Sequence, residues 1–168
     1  MAKDEIFPLV NEQGEVVGKA TRRECHSGSK LLHPVVHLHV RDAEGRLYLQ
    51  KRSMTKDIQP GKWDTAVGGH IDFGECVEEA LMREAREELG LTRFVPEKLF
   101  SYVHESEIER ELVNAFTALV DAGDIVIDPV EIDEGRFWTL DEIDANLGKG
   151  VFTPNFEGEY KRLRALWG

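Results

Sequence analysis

Between Gly69 and Leu91 the chain places carboxylates where a helix of a soluble protein normally keeps its apolar side chains. Glu84 and Glu88 are four positions apart, and at about 100° of turn per residue they fall in the same arc as Val77, Ala80 and Leu81, the arc that faces a core. Glu79, Arg83 and Arg86 fall on the opposite side, where Glu79 with Arg83, and Arg83 with Glu87, are spaced for i,i+4 pairs. Asp72 stands three residues before Glu75, a capping-box spacing that predicts a helix from near Phe73, and Gly90 suits its C-cap. A surface helix rich in glutamate explains the number of these carboxylates but not their register. Inward carboxylates are costly unless compensated, and a hard divalent cation with oxygen ligands is the usual compensation.

Composition narrows the setting. With 168 residues, 41% of them hydrophobic, the chain can bury one good core and is short for two, so a single domain over 1–168 is expected. Its 32 acidic and 21 basic residues leave a formal charge of -11, which argues against a nucleic-acid polymer as partner and requires that an anionic substrate meet local positive charge or metal. No stretch approaches the roughly 18 apolar residues of a membrane span, and the start has no apolar signal core. A soluble, cytoplasmic protein without a membrane partner is the expectation. Cys25 and Cys76 are too few for a disulfide framework. Reduced thiols are the simpler reading, with a bridge between the two left open.

Around the central segment the pattern alternates strands and helices. Ile6 to Val10 and Val16 to Ala20 read as an opening hairpin, and Val35 to Arg41 with Arg46 to Arg52 as a stronger one about the turn Asp42 to Gly45. Lys98 to His104, Leu112 to Val120 and Arg136 to Leu140 read as further strands, Asp141 to Leu147 as a short helix and Glu157 to Trp167 as a closing amphipathic one. A mixed sheet with helices packed on it follows. His37 and His39 share one face of a strand, where they either line a pocket or are satisfied within the sheet. Phe73, His37, His39, Tyr102 and Phe152 are candidates for a pocket lining, and Trp63 is expected to pack rather than stack on a base.

The segment Gly69, five residues, Glu75, seven residues, then Arg83-Glu84-Ala85-Arg86-Glu87-Glu88-Leu89-Gly90-Leu91 resembles the Nudix box at every fixed position. The resemblance implies an α+β protein with the Nudix fold, an α/β/α sandwich, and hydrolysis of a diphosphate linkage in a small molecule such as a nucleoside diphosphate joined to another group X. It implies Mg²⁺ or Mn²⁺ held by Glu87 and Glu88 with the Gly68 carbonyl, Glu84 as a further ligand or as the group that orients and deprotonates water, and Arg83 holding the glutamates in place. Cleaving a diphosphate needs charge neutralised on its oxygens and a water delivered in line, which carboxylate-held cations can do. A homodimer is a further expectation from the family.

A second resemblance spans residues 22 to 111. Cys25-His26 to His33, Leu49 to Lys56, Pro60 to Trp63 and Gly69-His70 look like isopentenyl-diphosphate isomerase, a Nudix-fold enzyme. By that likeness His26, His33, His70, Glu109 and Glu111 would hold a second metal, a transition metal or Zn²⁺ given the imidazoles, and Arg52 and Lys56 would contact the substrate diphosphate. The isomerase's catalytic cysteine is replaced here by Gly68, and the box is complete, so hydrolysis is the reading. Isomerisation and non-catalytic nucleotide binding are the alternatives.

Overall fold

The computed structural model describes residues 5–55 and 59–168. Strands β1 (Ile6–Val10) and β2 (Val16–Thr21) form a separate antiparallel hairpin, followed by the short helix α1 (Arg22–Cys25). The main sheet contains β3 (Leu32–Arg41), β4 (Leu47–Arg52), β5 (Trp63–Thr65), β6 (Val67–His70), β7 (Glu97–Glu105), β8 (Arg110–Leu119) and β9 (Ile132–Trp138). Helix α2 (Val77–Leu89) lies between β6 and β7 in the chain, and α3 (Leu140–Asn146) and α4 (Pro154–Trp167) close it.

The sheet runs β5-β4-β3-β8-β7, with β6 added to β3 and β9 to β4. It is mixed, because β3 and β8 pair in parallel from Leu32↔Arg110 to Arg41↔Leu119 while the other pairings are antiparallel. The expected β3–β4 hairpin is hydrogen-bonded only at Arg41↔Leu47; beyond that point β3 takes β6 as its neighbour and β4 takes β5 and β9. The divergence opens a cleft at the centre of the sheet.

Two helices cover opposite faces. Val36, Leu38 and Val40 of β3 point toward α2 and pack with Ala80, Leu81, Ala85 and Leu89, all buried. Leu47, Leu49 and Trp138 pack with Phe152, Phe156, Tyr160 and Leu163 around α4. His37 and His39, on the alternate face of β3, reach Glu159 of α4. This is the expected α/β/α sandwich. No helix among the described residues is long and apolar enough to cross a membrane.

Several boundaries move. α2 starts at Val77, because the cap is Cys76, whose Sγ accepts the Glu79 amide at 3.4 Å while Glu79 bonds back to the Cys76 amide at 3.0 Å. Asp72 and Glu75 instead close the turn before it, and Gly90 is the left-handed C-cap (φ 64°) that was expected. α4 begins at Pro154, capped by the Thr153 hydroxyl, and β9 begins at Ile132. Trp63 packs edge-on against Trp138. Both cysteines are free, Cys25 buried and Cys76 exposed.

Candidate functional site

A cavity of about 730 Å³ opens where β3 and β4 part, bounded by α2, β6 and the carboxyl-bearing start of β8. Glu84, Glu87 and Glu88 line one side of it, His70, Glu109 and Glu111 another.

Glu88 is held from both ends: Gln50 Nε2 donates to Oε1 at 3.1 Å and the Gly68 amide to Oε2 at 3.2 Å. Burial pushes its carboxyl up to about 8, Gln50 pulling the other way and the neighbouring Glu84 charge adding to the rise. Glu84, also raised chiefly by burial, stands within hydrogen-bonding reach of Glu88. Gly69 makes this geometry possible, since a methyl group there would collide with the Glu84 carboxylate. Two partly buried carboxylates within hydrogen-bonding reach of each other, one of them already on Arg83, are stabilised by a shared proton or a further cation, so the pair fits a divalent metal. Glu87 is different: its side chain is 54% exposed, at the rim.

Arg83 faces the site rather than the opposite side of the helix. Its guanidinium forks onto Glu75 (Nε to Oε2 2.8 Å, Nη2 to Oε1 2.9 Å), holds Glu84 Oε1 at 2.7 Å and donates to the His70 carbonyl at 3.1 Å. Helical spacing alone sets Arg83 on the outer side, whereas the resemblance has it holding the glutamates; an arginine stem is long enough to carry its charge around the helix. Arg83 still lies 3.6 Å from Glu87, whereas Glu79 is engaged in the N-cap.

The histidine group assembles from four places in the chain. Thr21 and Glu24 form a capping box for α1, which ends at His26. The parallel register sets His33 beside Glu111, β6 adds His70 two positions along β3, and the Ser106–Glu109 turn brings Glu109 over them. His26 Nε2 lies 3.2 Å from His70 Nε2 and 3.0 Å from Glu109 Oε2. Glu111 Oε2 is 3.9 Å from both His33 Nε2 and His70 Nε2. His33 Nδ1 donates to the Leu31 carbonyl, so its buried Nε2 keeps a lone pair that no protein donor meets. Potential ligand atoms of His26, His33, His70 and Glu109 all fall within 4.8 Å of one another. Burial, then His33, drives His70 down to about 3, and burial raises Glu111 to about 7. Imidazoles that include the orphaned lone pair of His33 fit a transition metal or Zn²⁺. Phe7 of β1 stacks on His70 with centroids 4.5 Å apart, a wall supplied by the opening hairpin that no sequence signal marked.

Of the other candidates, Arg52 lines the cavity with its Nη1 3.6 Å from Asp64 Oδ2, and Lys56 lies outside the described residues. His37 lines the cavity, but His39, Tyr102 and Phe152 are taken up elsewhere and Phe73 is exposed on the surface. Sequence reasoning missed Glu159, whose side chain is 1% exposed: it accepts from His37 Nδ1 at 2.8 Å, from the Tyr102 hydroxyl at 2.5 Å and from His39 Nε2. Burial opposes its ionisation, but the two histidines outweigh it and hold Glu159 well below the usual carboxylate range, while His37 rises to about 9. Its place in the middle of an amphipathic helix gave no reason to single it out.

Residues 31–156 match the NUDIX domain family. An uncharacterized Nudix hydrolase of Streptomyces coelicolor is 34% identical over 98% of this chain and 91% of its own length. The Nudix hydrolase YfcD of Escherichia coli is 31% identical over 99% of this chain and 88% of its own. Among solved structures, DR0079 of Deinococcus radiodurans superposes with a TM-score of 0.78 at 28% identity, covering 94% of this chain and 98% of that one. The NUDIX domain of Shewanella oneidensis NrtR, solved with ADP ribose, shares the fold (TM-score 0.64, 17% identity, 83% and 89% covered).

Proposed function

We propose that this chain, which belongs to the Nudix hydrolase family, is a metal-dependent pyrophosphohydrolase that cleaves a diphosphate linkage in a small molecule by water attack. The observation that carries the reading is the close approach of Glu84 and Glu88 at the wall of an open cavity, a pair that a bound cation would stabilise. Glu84, Glu87 and Glu88, with the Gly68 carbonyl, are the groups that would hold Mg²⁺ or Mn²⁺. When bound, such an ion neutralises charge on the diphosphate oxygens and makes an attacking water more acidic.

The remaining work belongs to the chain. Arg83 holds Glu84 and Glu75 together, and by bonding the His70 carbonyl it ties α2 to β6. Gln50 and the Gly68 amide orient Glu88 so that its rotamer is set before substrate arrives. Arg52, which also lines the cavity, would offer a guanidinium fork to the diphosphate, with Lys56 following it in the chain. The second group, His26, His33, His70, Glu109 and Glu111, is proposed to hold a transition metal or Zn²⁺. Neither cysteine lines the cavity.

Screening nucleotide sugars, dinucleotides, modified triphosphates and prenyl diphosphates with Mg²⁺ or Mn²⁺ tests the reading. The wild type should release a phosphate-bearing product from at least one class, and Glu88→Gln should lower the rate at least 100-fold with an unchanged circular dichroism spectrum. Silence of the wild type across the screen would refute the hydrolytic assignment.

A further inference from the structure

The box glutamates and the histidine group leave one wall of the cavity unaccounted for. There His37 stands with its side chain 22% exposed, next to Gly68. A Cβ on Gly68 would come within 3.3 Å of His37 Cδ2 and 3.7 Å of Nε2, so the bare glycine gives the imidazole edge its room. Behind the ring, Glu159 accepts from His37 Nδ1 at 2.8 Å and is itself fixed by the Tyr102 hydroxyl and His39. An acceptor carboxylate puts the Nδ1 proton toward α4 and leaves Nε2 as the ring's polar atom on the cavity side.

The lining states what can sit there. Among the described residues, Val35 is the only apolar side chain that lines the cavity, and its rings are the imidazoles of His37 and His70. A prenyl tail would find almost no apolar surface, and a flat base no phenyl or indole face. The same lining includes Gln50, Asp64, Thr65 and Asn155, polar groups that between them donate and accept. Carboxylates elsewhere in the cavity disfavour a second anionic group away from the metal-binding end. A hydroxyl both donates and accepts, so it pairs with Nε2 whichever charge state the imidazole holds.

We propose that His37, positioned by Glu159, is the contact that selects a hydroxyl-rich, sugar-like group as the X moiety of the substrate diphosphate. The inference rests on the proposed diphosphate site and adds which end of the ligand the β3–α4 wall reads. His37 touches the ligand; Glu159 acts through it.

Calorimetric binding with Mg²⁺ present tests this, using adenosine and uridine diphosphate hexoses whose bridging oxygen is replaced by methylene, each against the propyl ester of the same methylene-bridged nucleoside diphosphate. The wild type should prefer the hexose at least tenfold in one series. His37→Ala and Glu159→Gln should each bring the two affinities to within threefold, and His37→Gln, which keeps a polar tip, should restore part of the preference. If Glu159→Gln does not fold, the His37 pair decides alone, since Glu159 there keeps His39 and Tyr102. No preference in the wild type, or the same preference in His37→Ala, would overturn the proposal and leave the pair a structural brace. Preferential hexose binding without hydrolysis would sink the hydrolytic reading alone; hydrolysis without binding preference would sink this one alone.

Discussion

Glu88 is the residue whose chemistry depends most on its surroundings. Its ordinary carboxyl value is 4.5, and in the fold, without a cation, it titrates near 8. Between those values the folded chain binds a proton that the unfolded chain has lost, so this group favours the fold at the acid end and ceases to do so as pH rises through about 8. Glu88→Gln removes the titration. Without divalent cation, the urea-derived stability of the variant relative to the wild type should therefore grow in the variant's favour between pH 4.5 and 8, by on the order of 2–4 kcal/mol, and Mg²⁺ should reduce the gap. A pH-independent difference would refute the argument. The register of Glu84 and Glu88 was legible because helical spacing alone puts them on the core side. Arg83 was marked by the resemblance and not by spacing, and Glu159 was not marked at all, since the reach of a long side chain and the partners of a buried one are properties of space rather than spacing.

Helix α2 shows how an element places its residues. Capped at Cys76 rather than starting near Phe73, it leaves Ile71 to Glu75 as a folded loop, with Gly74 at φ 90°, that returns to β1 through the Phe73 amide bond to Ile6. Its cap is a thiol, a poor acceptor for the Glu79 amide at 3.4 Å. Cys76→Ser keeps the geometry and shortens that bond, so thermal or urea unfolding should show a gain of up to about 1 kcal/mol, with the hydrolytic rate unaltered because Cys76 lies outside the cavity. A loss of stability would mean that the thiol packs rather than caps. The competing caps could not be separated from sequence, as Asp72 with Glu75 and Cys76 with Glu79 have the same spacing and only the path of the preceding strand selects between them.

At the scale of the whole molecule, the parting of β3 from β4 makes the site. It admits β6 beside β3, which sets His70 near His33 and Glu111, and it opens the cavity between the box carboxylates and Arg52. Because His33 Nε2 is buried without a partner, Zn²⁺ or Co²⁺ should raise the melting temperature, by the equivalent of about 2.7 kcal/mol at a hundredfold excess over the dissociation constant. His33→Ala should abolish the shift, and a persistent shift would place the ion elsewhere. The chain's own order of residues carries most of the strands, the C-cap of α2, the inward glutamates and the box, because these follow from periodicities and caps that act within a few turns. Which strands become neighbours, where His26, His33, His70 and Glu109 converge, and how Glu159 comes to stand behind His37 follow from pairings between residues far apart in sequence. Their free energy depends on packing a sheet between two helices, and no local pattern encodes it.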